Sequence, residues 1–481
     1  MKKTKFALGV LAVLLCGSAG ARNGEVKMRE GTITLPAYRV NAPEKAPLFE
    51  RDFAYQRAKR GVYPYAMNDN PTDEKIDTTY RALFLENDYL EVCVLPDIGG
   101  RLFYATDKTN GYEIFYRQHV IKPANVGMLG AWISGGVEWN VFHHHRATSQ
   151  YPIDYKLVDN GDGSKTIWVG EVEKRHRMSW AIGMTLYPDR SYIEVKGRFF
   201  NNSPDRNSML HWNNVATHAN ENYQIVFPEN TEFGTFHHKN SFMRWPVPDA
   251  PYSGNPDYIG KDVSYWRNLP ALMGGSVFVY DLQDDFIGGY DYGKNAGTML
   301  AGNRHINKGG KFWTWGHMNY GHEWDCKTLT DEDGAYVELM TAAYSDNQPD
   351  YCWLNPYETK EFTAYWYGIR DLKHVNRGNE HATVNMEVGA DGRLHLAANV
   401  TRIRPDARIV VRRGGKTLYE TTALIAPDKP FAADTKVPAE EVAEPSEVTM
   451  YLYDSECNEL SSYPPYKLDR TKPMPDPVVP L

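Results

Sequence analysis

Short β-strands recur along most of this 481-residue chain, and no long stretch has the 3.6-residue periodicity of a helix. Apolar and β-branched residues dominate runs at residues 166–173, 179–187, 192–201 and 286–290. Turn dipeptides such as Asn160-Gly161 and Pro188-Asp189 separate the runs. Many short strands at regular spacing are typical of a sandwich or barrel, so the sequence predicts an all-β fold.

Composition divides the chain into five segments. Aromatic residues become rarer after His381, and proline becomes frequent after Tyr463. The second half of the chain therefore ends in a small immunoglobulin-like β-sandwich and an extended or disordered tail. The predicted segments are a signal peptide at 1–21, an N-terminal extension packing on the main domain at 22–78, a large antiparallel β-domain at 79–372, the small β-sandwich at 378–462 and the tail at 463–481.

The N-terminus has the pattern of a secretory signal peptide. Residues 1–5 are basic, residues 6–15 are apolar, and small residues lead up to a cleavage point after Ala21. We therefore expect a periplasmic or secreted protein. Cys16 would allow an outer-membrane lipid anchor, but Leu15 stands where a lipoprotein signal has a small residue. No later stretch is long and apolar enough to predict a membrane span.

Charge and aromatic content narrow the classes of partner. The net charge is −8 and no block of Lys and Arg follows the N-terminus, which argues against nucleic acid. Tryptophan (12) and tyrosine (32) are frequent, as suits side chains that stack on the apolar faces of sugar rings. A large β core uses aromatic residues equally well. An oligosaccharide or glycan fragment is the predicted partner.

Four cysteines remain after the signal peptide: Cys93, Cys326, Cys352 and Cys457. They are too few and too widely spaced for a disulfide scaffold. Cys326 and Cys352 flank one predicted strand and could pair, while buried free thiols are an equal alternative.

Glu338 is the most informative residue, because it is a carboxylate in the middle of an apolar strand pattern. A polar loop (345–350), a turn at Asn355-Pro356 and a second strand (362–367) follow it. Charged groups are rarely buried unless they are paired or functional. A solvated strand face would also explain Glu338.

A cluster of polar residues follows the pair Gly135-Gly136. It contains Glu138, Asn140 and the histidines at 143–145. Two glycines permit a tight turn or close approach of a ligand to the backbone. The cluster predicts a sugar-binding and proton-transfer loop. Zinc bound by His143 and His145 is a weaker interpretation, because no second ligand pair has a recognisable spacing.

A second cluster lies at residues 211–218. Strand alternation would place Trp212 and Asn214 on one face and His211 on the other. Either face could be a sugar platform or the ordinary wet side of a strand. A third cluster interleaves tryptophans, acids and histidines: Asp291, His305, Trp313, Trp315, His322 and Asp325.

Several of these motifs resemble those of sugar-handling proteins. The stretch around Glu338, with its loop, turn and closing strand, resembles the base-bearing motif of aldose 1-epimerases. Leu90–Arg101 resembles the opening of the same superfamily. Residues 80–370 are most similar to an uncharacterised bacterial family of that superfamily, the domain of unknown function 5107. The runs that carry this likeness are 134–140, 311–316, 329–340 and 346–350.

The resemblance implies a galactose-mutarotase-like β-supersandwich whose concave sheet binds sugar. The superfamily contains epimerases, glycoside hydrolases, lyase domains and non-catalytic proteins, so the reaction does not follow from the fold. The residues around His211 depart from the epimerase pattern at its histidine acid, which leaves the acid unassigned.

Three functions remain open. A glycoside hydrolase would use two carboxyl groups, Glu338 with Glu138 or Asp325. An aldose 1-epimerase would use Glu338 as base and His144, His211 or His305 as acid. A non-catalytic protein would only bind sugar. None needs a cofactor or metal, although a divalent cation stays open. The predicted substrate-binding residues are Asn140, His143, His211, Trp212, Asn214, Asp291, Trp315 and His322.

Overall fold

The computed structural model describes residues 24–43, 49–50, 61–62, 64–127, 130–237, 239–270, 274–346 and 350–476. The predicted signal peptide at 1–21 lies outside these residues, as does Cys16. No helix within the described ranges is long and apolar enough to cross a membrane.

The large domain consists almost entirely of strands. Its strands are β1 (Lys27–Val40), β2 (Phe49–Glu50), β3 (Gly61–Val62), β4 (Pro71–Glu86), β5 (Leu90–Leu95), β6 (Arg101–Asp107), β7 (Tyr112–Glu113), β8 (Ala124–Gly127), β9 (Gly130–Trp132), β10 (Val137–Asn140), β11 (Asp154–Asp159), β12 (Lys165–Val172), β13 (Met178–Leu186), β14 (Tyr192–Asn201), β15 (Asn207–Met209), β16 (Trp212–His218), β17 (Tyr223–Val226), β18 (Phe233–Thr235), β19 (Phe242–Arg244), β20 (Gly275–Tyr280), β21 (Phe286–Asp291), β22 (Ala296–Ala301), β23 (Gly309–Thr314), β24 (Tyr336–Ala342), β25 (Cys352–Leu354) and β26 (Thr359–Arg370).

Two large antiparallel sheets form this domain. One is 12-stranded, in the order β1-β4-β5-β6-β10-β16-β24-β23-β20-β18-β19, with β7 paired to β6. The other is 8-stranded, in the order β11-β12-β13-β14-β26-β22-β21-β17. Apolar side chains from both sheets fill one continuous core. Within it Trp139 of the first sheet stacks on Trp366 of the second at 5.8 Å. Packing of this kind defines a sandwich of two sheets.

Strand alternation decides which face of the 12-stranded sheet meets the core. In β24, Val337 and Leu339 are fully buried between the sheets, whereas Glu338 points to the opposite face. We call that opposite face of the 12-stranded sheet the outer face. The predicted strand after Glu338 forms β26, and β26 belongs to the 8-stranded sheet.

Helical structure is short. Helix α1 (Asn319–His322) continues directly into a π-helical turn, Glu323–Thr328. Single-turn 3₁₀ segments occur at Pro96–Ile98, Pro256–Tyr258, Trp266–Asn268, Ala439–Val442 and Pro445–Glu447.

The small domain is a sandwich of two four-stranded sheets. Its strands are β27 (Arg377–Gly378), β28 (Ala382–Val388), β29 (Arg393–Val400), β30 (Arg404–Arg413), β31 (Lys416–Ile425), β32 (Phe431–Lys436), β33 (Val448–Tyr453) and β34 (Glu459–Tyr463). The sheets have the orders β27-β28-β29-β32 and β31-β30-β33-β34, and a separate apolar core lies between them. The fold class predicted from the sequence, a large all-β supersandwich followed by a small β-sandwich, is confirmed.

The structure adds detail to two of the predicted segments. The start of the large domain at residue 79 falls inside β4, because β1 pairs along the whole of that strand and opens the sheet. The tail is extended but not detached. Tyr466 Oη donates to Glu232 at 3.1 Å, and Lys472 Nζ binds the same carboxylate oxygen at 3.1 Å. Buried Glu232, near the end of the 12-stranded sheet, therefore anchors Tyr466 and Lys472, which belong to the segment predicted as the tail.

All four described cysteines are free thiols. The pairing considered for Cys326 and Cys352 is therefore absent, and the alternative of free thiols holds.

Candidate functional site

Four neighbouring strands of the 12-stranded sheet, β10, β16, β24 and β23, carry polar and aromatic side chains on the outer face. Antiparallel register places Glu138 opposite Asn214. It also places Ala216 and Trp313 opposite Glu338. Cross-strand partners share a face, so both glutamates of the sequence analysis project from the same side of the sheet.

Glu138 is a buried carboxylate with strong hydrogen-bond support on one oxygen. Its Oε2 accepts from Trp132 Nε1 at 2.9 Å, His145 Nδ1 at 2.9 Å and Asn140 Nδ2 at 3.2 Å. Burial alone would raise the pKa of Glu138, but the charges of His145 and Arg101 and these hydrogen bonds outweigh it and hold the pKa well below its usual range. Glu138 is therefore ionised at neutral pH.

The Gly135-Gly136 turn explains how Trp132 reaches Glu138. Both glycines have positive φ, +82° and +58°, and a Cβ on Gly136 would lie 2.2 Å from a backbone oxygen of Leu102. The buried guanidinium of Arg101 supports the turn through hydrogen bonds to two backbone oxygens, of Ile133 at 2.7 Å and of Gly135 at 2.5 Å. The two glycines of the sequence motif thus form the predicted tight turn.

Glu338 has the opposite character. Its only hydrogen bond among the described residues comes from Tyr336 Oη at 3.1 Å, and Tyr336 in turn accepts from Trp315 Nε1 at 3.0 Å. Burial raises the pKa of Glu338 to about 7, against the lowering influence of His145 and Lys311. Burial also lowers the pKa of Lys311 to about 8. Glu338 therefore exchanges a proton near neutrality.

Asp325 is close enough to Glu338 for the two carboxyl groups to interact electrostatically. It is completely buried on the π-helical turn, where its carboxylate has no side-chain donor among the described residues and faces the backbone N–H of Tyr336. Burial, with the neighbouring charge of Glu338, raises the pKa of Asp325 to about 9. Two of the three predicted catalytic carboxyl groups thus adjoin each other.

Several buried polar atoms on the outer face lack partners in the part of the chain that the structure describes. Buried polar groups in folded proteins are almost always hydrogen-bonded, so a group of exceptions on one face points to a ligand. The atoms are Glu138 Oε1, Asn140 Oδ1, Trp212 Nε1 and Asn214 Oδ1. Together they offer three acceptors and one donor, a pattern that suits a polyhydroxylated ligand.

The three consecutive histidines have different surroundings. His143 Nε2 bonds Ser208 Oγ at 2.8 Å, and burial lowers the pKa of His143 to about 3. Burial lowers the pKa of His144 to about 2, and its backbone has a φ of 106°. The rings of His144 and His145 meet Trp212 edge-on at 5.8 and 5.3 Å. Because His143 and His145 bond different partners, the arrangement gives no support to a shared zinc ion.

Four residues predicted for the site lie elsewhere. His211 is fully buried in the core, where its ring stacks on Phe362 at 4.9 Å and its Nδ1 bonds the Asn140 backbone oxygen. Asp291 caps a turn at the end of β21 by accepting from backbone N–H groups. His305 is exposed on a loop after β22, and His322 is exposed on α1. Trp315 lines the site indirectly, through Tyr336.

Four residues of the site have no role in the sequence prediction: Arg101, Trp132, Lys311 and Tyr336. His145 is named in that prediction, but as a member of the histidine run and a possible zinc ligand rather than as the partner of Glu138. Tyr336 has a usable signal, because it lies two residues before Glu338 and strand alternation puts both on one face. Lys311 has a weaker signal, because it lies two residues before Trp313 and shares its face, while only the pairing of β23 with β24 shows that this face meets Glu338. His145 follows the end of a strand, where alternation no longer distinguishes it from its neighbours.

The two packed sheets form a large β-supersandwich, and a cluster of polar side chains lies on the outer face of one sheet. Residues 57–369 match the family described as domain of unknown function DUF5107, and the chain belongs to that family. The resemblance stated from the sequence is therefore confirmed. Residues 377–463 match a second family, the second domain of YphG-like proteins.

Solved structures give related findings. A TPR-domain containing protein from Parabacteroides distasonis is 20% identical with a TM-score of 0.62, covering 73% of this chain. The present chain spans 56% of that protein's length. Galactose mutarotase-like proteins from Clostridium acetobutylicum and Lactobacillus casei are each 11% identical, with TM-scores of 0.41 and 0.38. They cover 61% and 60% of this chain, which covers 96% and 100% of theirs.

Proposed function

We propose that the protein is a glycoside hydrolase that binds an oligosaccharide on the outer face of its large sheet. The observation that carries the proposal is the pair Glu138 and Glu338. They are two buried carboxyl groups on one face whose surroundings displace their pKa values in opposite directions. Two titratable groups set apart in this way identify an acid and a base.

Glu338 takes the role of general acid in this proposal. With a pKa of about 7, Glu338 is protonated in a large fraction of the molecules at neutral pH. The protonated carboxyl group can then donate its proton to the leaving glycosidic oxygen. Tyr336 donates to Oε1, which leaves Oε2 to carry the transferable proton.

Glu138 takes the role of base. It is ionised, three donors orient its Oε2, and its Oε1 has no partner among the described residues. Strands β10 and β24 are separated by β16, and the two glutamates are offset by two residues in register. Strand spacing and rise then place their Cα atoms roughly 12 Å apart. Such a separation favours the wider, inverting arrangement, in which the base activates water.

The epimerase alternative would have to use His145, whose charge acts on Glu338, because none of the histidines considered as the acid fits. It needs a protonated histidine facing Glu338 as an ionised base. Of the three histidines considered for that role, His211 lies in the core, His305 is exposed on the loop after β22, and burial keeps His144 neutral.

Hydrolysis is tested with a panel of plant, algal and host glycans, followed by chromatography of released sugars. The matched variants are Glu338→Gln, Glu138→Gln and, as control, Glu361→Gln, an exposed acid of the 8-stranded sheet. We expect product with wild type and with the control. The two site variants should each lose at least about 100-fold in rate, as removal of a general acid or base predicts.

Three results would contradict the proposal. Calorimetric binding of a glycan without product formation would indicate a non-catalytic protein. Accelerated mutarotation in a polarimeter that depends on Glu338 would indicate an epimerase. Retention of anomeric configuration in the product, followed by NMR, would reject the inverting assignment.

Export is part of the proposal and rests on the N-terminal pattern alone. N-terminal sequencing of the protein from fractionated cells should begin at Arg22; a chain that starts at Met1 in the cytosolic fraction would reject it.

A further inference from the structure

The hairpin between β23 and β24 brings three different ligand types together on its surface. His322 ends helix α1, and Cys326 follows four residues later in the π-helical turn. The chain then returns, and the backbone N–H of Glu332 donates to the Cys326 backbone oxygen at 2.8 Å. This bond holds Glu332 beside the helical turn although it is six residues further along the chain.

The side-chain ligand atoms of these three residues form a compact group. The imidazole nitrogen of His322, the thiol sulfur of Cys326 and a carboxylate oxygen of Glu332 all lie within 4.8 Å of one another. A tetrahedral zinc ion holds its ligand atoms roughly 3.5 Å apart. The difference is about 1 Å, and rotation of the exposed His322 and Glu332 side chains can close it.

Within the described ranges, the ring of His322 and the carboxylate of Glu332 make no hydrogen bond or ion pair. Their neighbours behave differently: Glu323 pairs with Lys327 at 2.6 Å, and Asp333 bonds the ring of His119 at 2.5 Å. An imidazole, a thiol and a carboxylate that converge in this way are the ligand types that zinc accepts in proteins.

We propose that His322, Cys326 and Glu332 bind one zinc-like divalent transition-metal ion, with solvent as the fourth ligand. The nitrogen, sulfur and oxygen donor set suits zinc, whereas a thiolate does not suit magnesium or calcium. On binding, the Cys326 thiol releases its proton to solvent as the metal–sulfur bond forms, and no electron is transferred.

The ion would tie the helical turn to the returning strand of the hairpin. Between these ligands lies Trp324, whose ring stacks on Trp315 at 4.4 Å with an interplanar angle of 11°. Trp315 in turn donates to Tyr336, which bonds Glu338. The metal therefore has a structural role at the border of the outer-face cluster, and it does not depend on the reaction proposed for that cluster.

The test uses the full-length protein after treatment with a chelator and dialysis. Calorimetric titration with Zn²⁺ should give one equivalent bound. Titration with Co²⁺ should produce the near-ultraviolet charge-transfer band of a thiolate ligand together with visible bands of tetrahedral cobalt. Because metal binds only the folded protein, Zn²⁺ should also raise Tm.

Variants separate this site from other thiols and from general misfolding. Cys326→Ser should abolish the charge-transfer band, and His322→Ala, at an exposed position, should weaken Zn²⁺ binding by at least about tenfold. The matched control is Cys457→Ser, which removes an exposed free thiol of the small domain and should change neither. The proposal is overturned if no stoichiometric binding occurs, or if binding and the band persist in Cys326→Ser.

Discussion

Nearby positive charge and hydrogen-bond donors, rather than burial, distinguish the two glutamates of the outer face. Glu138 and Glu338 are both at least 95% buried, being 2% and 5% exposed. Glu138 receives three donors on one oxygen, and Glu338 receives one donor in all. An ionised carboxylate gains most from donated hydrogen bonds, so the same residue type becomes a base at one position and an acid at the other.

A first prediction concerns protein stability. The pKa of Glu338 is about 7 in the folded chain and 4.5 when unperturbed, so the folded state binds more protons between these values. The contribution of the Glu338 carboxyl group to the free energy of unfolding is fully present below pH 4.5 and is lost as pH rises through 7. Glu338→Gln should remove a decline on the order of 3 kcal/mol in the free energy of unfolding over that interval.

The measurement is urea denaturation at a series of pH values for wild type, Glu338→Gln and the control Glu361→Gln. The difference in slope between the first two tests the prediction. An identical slope in all three proteins would show that Glu338 titrates normally.

A second prediction concerns Lys311. Its buried ammonium group lowers the pKa of Glu338, which burial otherwise raises. Lys311→Met should therefore move the alkaline limb of the kcat/KM profile to higher pH, because the general acid then keeps its proton longer. Lys311→Arg keeps the charge and should keep the wild-type limb. If the alkaline limb of the kcat/KM profile does not move in Lys311→Met, the general acid is a group other than Glu338.

At the scale of single elements, the sequence predicts what depends on neighbours along the chain. The hairpin of β4 and β5, the alternation of β16 that separates His211 from Trp212, and the common face of Tyr336 and Glu338 all follow from local patterns. Local patterns do not predict which way a side chain in a loop points. For this reason the sequence prediction names His144 as a catalytic residue, whereas His145 is the histidine that bonds Glu138.

A third prediction tests one element whose turn the sequence does indicate. Asn87, 3% exposed, closes the β4–β5 hairpin by accepting from the backbone N–H groups of Tyr89 and Leu90. Its amide also donates to the backbone oxygens of Tyr187 and Arg190, at 2.8 Å each, and thereby joins the two sheets. Asn87→Ala leaves buried backbone groups unpaired and should cost about 3 kcal/mol.

Urea denaturation measures this loss, with the adjacent exposed Asp88→Ala as control. The control should change stability by less than about 0.5 kcal/mol. Equal stabilities of the two variants would show that solvent replaces the lost hydrogen bonds.

At the scale of the whole molecule, the two β-domains share contacts. Tyr367 of the large domain packs with Ala397 of the small domain, and its hydroxyl donates to the Asn379 backbone oxygen at 2.6 Å. Glu229 accepts from the side chains of Asn376 and Tyr463 across the same boundary. A boundary with buried apolar and polar contacts couples the unfolding of both domains.

A fourth prediction follows from that coupling. All 12 tryptophans precede residue 377, so tryptophan fluorescence reports the large domain alone, whereas far-ultraviolet circular dichroism reports both. The two unfolding curves should coincide for wild type. Glu229→Ala leaves the buried Tyr463 hydroxyl unpaired, which costs about 1–3 kcal/mol at the boundary, and the curves should separate.

The control is Glu380→Ala, an acid at the same boundary whose side chain is 44% exposed. Its curves should still coincide. Separate curves already in wild type, or coincident curves in Glu229→Ala, would mean that Glu229 does not couple the domains.

The outer-face site itself is a property of the whole molecule and could only partly be predicted. Most of its residues come from β6, β10, β16, β24 and β23, which pair although they are far apart in sequence, while Trp132 comes from β9 and His145 from the loop after β10. Family resemblance directed attention to Glu338, but no local pattern indicates that Trp132 and Arg101 converge on Glu138. Long-range register therefore accounts for most of what the sequence analysis missed.

The docked C-terminal segment has a consequence for how the molecules behave in concentrated solution. Strand β19 is the last in the 12-stranded sheet, and a terminal strand has backbone groups that another chain could pair with. Arg244 of β19 donates to the Lys472 backbone oxygen, and Arg470 donates to that of Trp245. The segment thus covers the exposed edge of β19. A chain cut after Tyr463 would leave that edge open, and the edge strands of other molecules could pair with it and cause aggregation.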